Sequence, residues 1–237
     1  MEKILSKELD FPEGAVIPVD KPLGWTSADV VRKVKVLLKH LGYRKIKIGH
    51  AGTLDPLASG VLILCVGKAT KQAEALQAEA KEYVAEFTLG ATTPSFDMEH
   101  PVDQTYPWEH ITREMTEEAL RALCGERLQT PPVYSAKMIE GKRAYEYARA
   151  GREVAMRRAL ITVYSMEILR WAPPAVEVRI ACSKGTYIRS IAQELGEKLG
   201  SGAYLSALCR TRSGNFRVEE CYALEEIEKI LGSAKQN

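Results

Sequence analysis

Apolar residues recur at helical spacing through Val30, Val31, Val34, Leu37, Leu38 and Leu41, which predicts a helix with Ser27 as its N-cap. Gly42 suits the left-handed position that ends it. Most basic residues of this stretch fall on the opposite face. Upstream, a short apolar run at residues 15–19 stops at Asp20-Lys21-Pro22-Leu23-Gly24-Trp25, where proline and glycine force a turn. Downstream, residues 46–48 read as a short strand and residues 61–66 as a buried one. The loop between them, Gly49-His50-Ala51-Gly52-Thr53-Leu54-Asp55-Pro56-Leu57-Ala58-Ser59-Gly60, sets one histidine and one aspartate among glycines. Glycine permits backbone conformations closed to other residues, so such a loop can hold polar side chains rigidly at a core's edge.

Further along, residues 68–80 predict a helix. Residues 83–89 predict a strand with Tyr83, Ala85, Phe87 and Leu89 on one face. Residues 92–108 form a long connection. Helices are expected at about 116–124 and 143–150, the latter stopped by Gly151, with turn-rich Gln129-Thr130-Pro131-Pro132-Val133-Tyr134-Ser135-Ala136 between them. Strands at 162–171 and 176–182, a helix at about 187–199 and a last short helix at 223–231 complete the pattern. No internal repeat or low-complexity tract interrupts it. The fold class expected is α+β, a mixed, largely antiparallel sheet flanked by helices.

With 237 residues and 46% hydrophobic content, the chain supports a single domain over residues 1–237. Its amino terminus lacks the apolar stretch of a secretory signal, and no run approaches the roughly 18 apolar residues of a membrane span. A cytoplasmic protein without membrane contact is expected. Five cysteines, Cys65, Cys124, Cys182, Cys209 and Cys221, are odd in number and form no CxxC pair, which argues against disulfides or a zinc knuckle. The net charge of +2 says little, but its distribution is uneven. Arg32, Lys33, Lys35, Lys39, Arg44, Lys45 and Lys47 lie in one stretch without an acidic residue. A second basic group falls at Arg143, Arg149, Arg152, Arg157 and Arg158. Such segregation gives one face a positive potential able to attract a polyanion, although solvated helix faces would show the same pattern.

Several chemistries are excluded by spacing. Gly60 and Gly67-Lys68 have six residues between them where a phosphate-binding P-loop needs four, and Ala69 stands where it needs Ser or Thr. The four histidines lack the close carboxylate or cysteine companions of a metal site, so no metal is expected. No Ser/His/Asp order stands out. Asp55 before Pro56 is by itself a common turn-former. Tyr83 alone is an ordinary strand aromatic. Arg189 sits near the start of a helix, where the dipole disfavours a cation, and a local carboxylate partner would rationalise it.

Taken in order, Asp20-Lys21-Pro22 with Gly24-Trp25-Thr26-Ser27, the loop from Gly49 to Gly60, Lys81-Glu82-Tyr83, the Gln129 to Ala136 block and Lys184-Gly185-Thr186-Tyr187-Ile188-Arg189 resemble the bacterial tRNA pseudouridine 55 synthase family, TruB. The resemblance covers roughly residues 14–216 and is most specific around Asp55. It implies the pseudouridine synthase fold and isomerisation of uridine 55 in the tRNA T-loop, with no cofactor because nothing is lost from the substrate. Asp55 matches the nucleophile, which must act as a carboxylate. Arg189 matches an arginine that pairs with it, an arrangement favouring the charged form. The target base must be flipped out of its stack, at a cost of a few kcal/mol. By resemblance His50 lies against the displaced nucleotides, Tyr83 stacks on the flipped base and is a candidate for proton transfer at C5, and Tyr187 and Leu208 line the same pocket. Lys21-Pro22 is given a structural role, bracing the Asp55 loop.

Departures concern RNA contacts. Cys209 stands where the family often has the first of two arginines, leaving Arg210, and Tyr204 replaces a histidine. Lys137 comes one place earlier than usual, and residues 92–99 match a threonine-and-aspartate pattern loosely. Only 16 residues follow Cys221, so a separate C-terminal PUA domain is not expected. An isolated T-arm hairpin is then expected to react nearly as fast as whole tRNA. The partner implied is the tRNA T-arm; no obligatory protein partner is called for, and a monomer is expected. Two alternatives remain at this point: a tRNA-folding chaperone using the same surface, and a pseudouridine synthase with another RNA target.

Overall fold

The computed structural model describes residues 5, 6, 8–135, 137–139, 141–149, 152 and 154–232. The chain runs through β1 (Ala15–Lys21), α1 (Ser27–His40), β2 (Ile48–His50), β3 (Ala58–Val66), a 3-10 segment (Gly67–Gln72), α2 (Ala73–Ala78), β4 (Lys81–Leu89), β5 (Ala91–Thr92), β6 (Gln104–Thr105) and α3 (Arg113–Ala122). It continues through β7 (Gly125–Gln129), β8 (Met138–Ile139), β9 (Lys142–Arg143), α4 (Ala144–Arg149), β10 (Ala159–Ala172), β11 (Ala175–Cys182), α5 (Ile188–Lys198), β12 (Ala203–Ser213), β13 (Phe216–Arg217) and α6 (Leu224–Gly232). The fold is α+β with mixed, mostly antiparallel strand pairing, as the sequence pattern predicts. Two compact units are present, Met1–Tyr83 with Leu208–Asn237, and Val84–Ala207, so that the boundary falls inside β4 and β12.

In the first unit the strand order is β1-β3-β12, with β2 paired to β3 and β13 to β12. β1 and β2 run antiparallel to β3, whereas β12 pairs with it in parallel, Leu208 against Ala58 and Arg210 against Gly60. The apolar stripe of α1 (Val30, Val34, Leu37, Leu38) is buried with Ile17, Val19, Leu62, Leu64 and Val66 and with Ile227 and Leu231 of α6. Burying each such side chain contributes about 1.5–3 kcal/mol, which fixes the helix over the strands. The N-cap lies one residue earlier than the pattern suggests. Thr26, in an extended conformation, fills it and accepts from Asp29 N, while the Asp29 carboxylate accepts from Thr26 N at 2.9 Å. That reciprocal pair satisfies two end-of-helix donors and releases Ser27 for another bond. Gly42 has φ 102°, as a left-handed stop requires.

In the second unit the order is β4-β11-β10-β7. β10 is antiparallel to both β11 and β7 and is bulged near Val163 and Ile168. α3 lies against β10 and α5. Buried residues here include Phe87, Leu120, Val178, Ile180, Ile191 and Leu195. Residues Ala91–Thr92 and Gln104–Thr105 pair inside what the sequence suggests is a plain connection.

Other differences are local. The helix expected over 68–80 is a 3-10 segment followed by a six-residue α-helix, because no side chain caps the start and Thr70 Oγ1 donates to Gly67 O at 2.8 Å, which favours the tighter turn. α4 spans Ala144–Arg149; Ala150, Gly151 and Ala136 lie outside the described residues. β7 and β12 have no clear alternation in sequence and escape a pattern reading. No described helix is long and apolar enough to cross a membrane.

At Gly60 (φ +99°) an added Cβ would come within 2.3 Å of Arg210 O. Gly60→Ala is expected to cost about 3 kcal/mol or more in urea unfolding, combining left-handed strain with a backbone collision. A cost under about 1 kcal/mol would contradict this close approach.

Candidate active site

Asp55 sits half-buried in the loop between β2 and β3. The loop is fastened at several points. Ala51 N donates to Ile63 O at 2.9 Å, Ala58 N to Asp55 O at 3.1 Å, and Gly24 N to Pro56 O at 2.8 Å. The buried hydroxyl of Ser27 accepts from Leu54 N at 2.9 Å and donates to Leu54 O at 3.0 Å. Ser27, read from sequence as a cap, is therefore an anchor of the Asp55 loop.

A second anchor comes from far along the chain. The Arg210 side chain is 1% exposed. Its Nε donates to Val61 O at 2.7 Å, Nη2 to Gly52 O at 3.1 Å and Nη1 to Thr53 O at 3.4 Å, so one guanidinium ties together both ends of the loop. In the sequence Arg210 stands out only as the survivor of an arginine pair. Nothing in its neighbourhood announces a buried cation. Cys209 beside it is in register with Ser59, and burial pushes its thiol pKa up.

Lys21 is also fully buried. Its Nζ donates to Pro22 O at 3.0 Å and Trp25 O at 2.6 Å, bracing the turn whose Gly24 meets Pro56. Burial lowers the pKa of Lys21 from 10.5 to about 8; the Asp55 carboxylate opposes that fall and the Arg210 charge adds to it. Lys21 thus braces the turn that meets the Asp55 loop at Pro56, and it is electrostatically coupled to Asp55.

His50 ends β2, in register with Leu64, rather than lying in the loop. Its Nδ1 has no hydrogen-bond partner among the described residues. Burial first, and the Arg210 charge second, lower its pKa, so the neutral ring is favoured near neutral pH. Tyr83 is buried on the alternating face of β4, together with Lys81. Lys81 Nζ donates to Gln77 O at 2.6 Å and Glu79 O at 2.5 Å. Leu208 is half-buried at the β12 position facing Ala58. Asp55, His50, Tyr83 and Leu208 all belong to the first unit.

Arg189 and Tyr187 belong to the second. Tyr187 is the N-cap of α5, and its backbone is gripped at both ends by Gln129: Tyr187 N donates to Oε1 at 2.8 Å and Nε2 donates to Tyr187 O at 3.1 Å. Arg189 occupies the second position of α5 and is nearly fully buried. Its local carboxylate is Asp97, with Nε 3.5 Å from Oδ2, and Nη1 donates to Tyr134 O at 2.8 Å and Ser95 O at 3.4 Å. Asp97 follows Phe96, whose φ of 63° is unusual for a bulky residue. Two stretches, the loosely matching 92–99 segment and the Gln129 to Ser135 block, therefore supply the groups that seat Arg189. No cluster able to hold a metal ion occurs among the described residues.

Comparison with known proteins gives these loops a context. The N-terminal domain model of the TruB family pseudouridylate synthases matches residues 39–188, and the C-terminal domain model of tRNA pseudouridylate synthase B matches residues 189–237. The chain belongs to the TruB family. It is accordingly a pseudouridylate synthase, an isomerase. Among relatives named tRNA pseudouridine synthase B, that of Phocaeicola vulgatus is 51% identical over 94% of this chain and 95% of its own length. That of Flavobacterium johnsoniae is 45% identical over 94% and 98%. Among solved structures, a chain of a Cbf5–Nop10–Gar1 complex superposes with a TM-score of 0.70 at 32% identity, covering 93% of this TruB-family chain but only 55% of that one. This likeness establishes the pseudouridine synthase fold.

Because the Asp55 charge holds the Lys21 pKa up, Asp55→Asn should drive it further below 8, and an NMR titration of the lysine Cε resonance reads the shift. An unchanged or higher value would show that the two charges do not meet. For His50, a lowered folded-state pKa means that the unfolded chain binds a proton first as the pH drops. Its contribution to stability is full above about 6.5 and is lost as the pH falls from there toward the folded value. The decline in unfolding free energy below about pH 6.5 should shrink in His50→Gln.

Proposed function

We propose that this TruB-family enzyme acts on tRNA, converting uridine 55 of the T-loop to pseudouridine, and that Asp55 is the nucleophile. The observation that carries the reading is a carboxylate on a loop fixed by Ser27, Gly24 and Arg210 and coupled to the buried Lys21. The tRNA substrate is taken from the names of relatives that match nearly end to end. In the reaction the bond from ribose C1′ to uracil N1 breaks and one from C1′ to C5 forms. C5 gives up its proton and N1 gains one, so atoms balance without a cofactor. A carboxylate held in place can serve as a covalent partner during the exchange without the cost of reorganising a mobile loop.

Arg189 is assigned as the cation that meets Asp55. A guanidinium carries five N–H donors, which lets one side chain serve Asp97, two carbonyls and a second carboxylate. Tyr83 stacks on the flipped base and is the candidate for handling the C5 proton. Base–aromatic stacking contributes about 1–3 kcal/mol, comparable with the few kcal/mol that flipping costs. Tyr187 and Leu208 line the base pocket. A neutral His50 can lie against displaced nucleotides without attracting their phosphates. A tRNA substrate implies the cytoplasm, and the T-arm is the part of tRNA engaged.

Release of tritium from tRNA labelled at uridine C5 tests this directly. Asp55→Asn should slow release by at least about a thousandfold, equivalent to roughly 4 kcal/mol of transition-state stabilisation, while T-arm affinity stays within about threefold. Release at the wild-type rate from Asp55→Asn, or pseudouridine formed only outside the T-loop, would defeat the proposal.

A further inference from the structure

A groove of about 400 Å³ opens in the first unit between the residues just before β2 and the 3-10 segment, lined by Tyr43, Lys45, Lys47, Lys68, Thr70 and Lys71 among others. No acidic residue lines it. On α1, by contrast, Arg32 and Lys33 have carboxylate companions in Asp29 and Glu228. In the groove only Lys68 is paired, its Nζ 2.6 Å and 2.7 Å from the two oxygens of Glu13, while Lys45, Lys47 and Lys71 have no carboxylate partner among the described residues. The wall is firmly held. The Tyr43 ring meets Phe11 edge-on at 5.4 Å and its hydroxyl donates to Leu9 O at 3.4 Å, and Gly67 N donates to Lys47 O at 2.8 Å, joining the two lysine-bearing segments.

We infer that this groove binds the phosphodiester backbone of the RNA stem, away from the nucleotide that reacts. Its four lysines on flexible stems act as point charges, suited to a backbone whose sequence varies, whereas bidentate base reading would call for arginine, asparagine or glutamine. The spacing gives the part of the RNA that is met. Ala58, bonded to Asp55 O, starts β3, and the groove begins just past Val66 at its other end. The length of that strand is about 26 Å, which spans several base steps of a duplex. A flipped loop nucleotide at Asp55 therefore leaves the groove to paired RNA. This inference rests on the T-arm reading above and adds the surface that grips the stem.

The test uses the full chain and two hairpins with the same loop, one with a stem of about ten base pairs and one of about three. Replacing Lys45, Lys47, Lys68 and Lys71 with Ala should weaken binding of the long hairpin at least about tenfold at about 0.1 M salt, and make the slope of log affinity against log salt shallower by roughly one for each phosphate no longer neutralised. The short hairpin should bind both proteins within about twofold. Glu13→Gln, which releases Lys68, should tighten the long hairpin about twofold or more. Equal weakening on both hairpins, or none on either, overturns the inference. Tritium release from the loop uridine is measured in the same samples. Its absence from wild-type protein alongside a stem-dependent weakening would sink the T-arm isomerase reading and leave the groove standing; release without a stem-dependent weakening does the reverse.

Discussion

The first unit depends on a guanidinium with nowhere to go. Arg210 is almost wholly shut off from solvent, and a buried cation without partners would cost several kcal/mol. Its three carbonyl acceptors meet that requirement, and the requirement runs both ways, since a buried carbonyl also needs a donor. Because those carbonyls flank the Asp55 loop on both sides, satisfying one side chain closes the loop. The parallel pairing of β12 with β3 puts the Arg210 backbone against Gly60 and leaves room for no side chain there.

The same charge acts beyond its hydrogen bonds. Arg210 depresses the pKa values of both Lys21 and His50, and Asp55 works against it at Lys21. Two buried cations and one carboxylate thus form a small electrostatic system inside the first unit. The second unit solves its own version of the problem. Arg189 is seated by a carboxylate and two carbonyls, and Tyr187 by the two ends of one amide side chain. In each case a residue is placed by groups that are themselves fixed by backbone, which gives it a defined geometry before any ligand arrives.

Much of this is legible from sequence, for identifiable reasons. The α1 stripe and the alternation of β4 follow the helical and strand periods, and the glycines around Asp55 mark a loop whatever its partners. The order of the motifs carries the family. What escapes is long-range. β12 mixes Leu, Ser, Cys, Arg and Thr without alternation, so neither the strand nor the buried Arg210 can be read from local pattern. Ser27 has the composition of a cap, yet its true partner, Leu54, is 27 residues away. Asp97 is invisible as the companion of Arg189 for the same reason: a long stretch of chain separates them, and a positive φ at Phe96 precedes the carboxylate.

The parallel register between β3 and β12 also fixes an order of events during synthesis. Gly52, Thr53 and Val61 leave the ribosome well before Arg210, whose bond to Val61 spans 149 positions. At roughly 5–20 residues per second that interval lasts about 7–30 s. Throughout it the nascent Asp55 segment must exist without its clamp, and the intervening unit, whose own strands pair β10 with β7 and β11, is translated first. Closure of the Asp55 loop therefore waits on one arginine that is made only after the whole of the second unit.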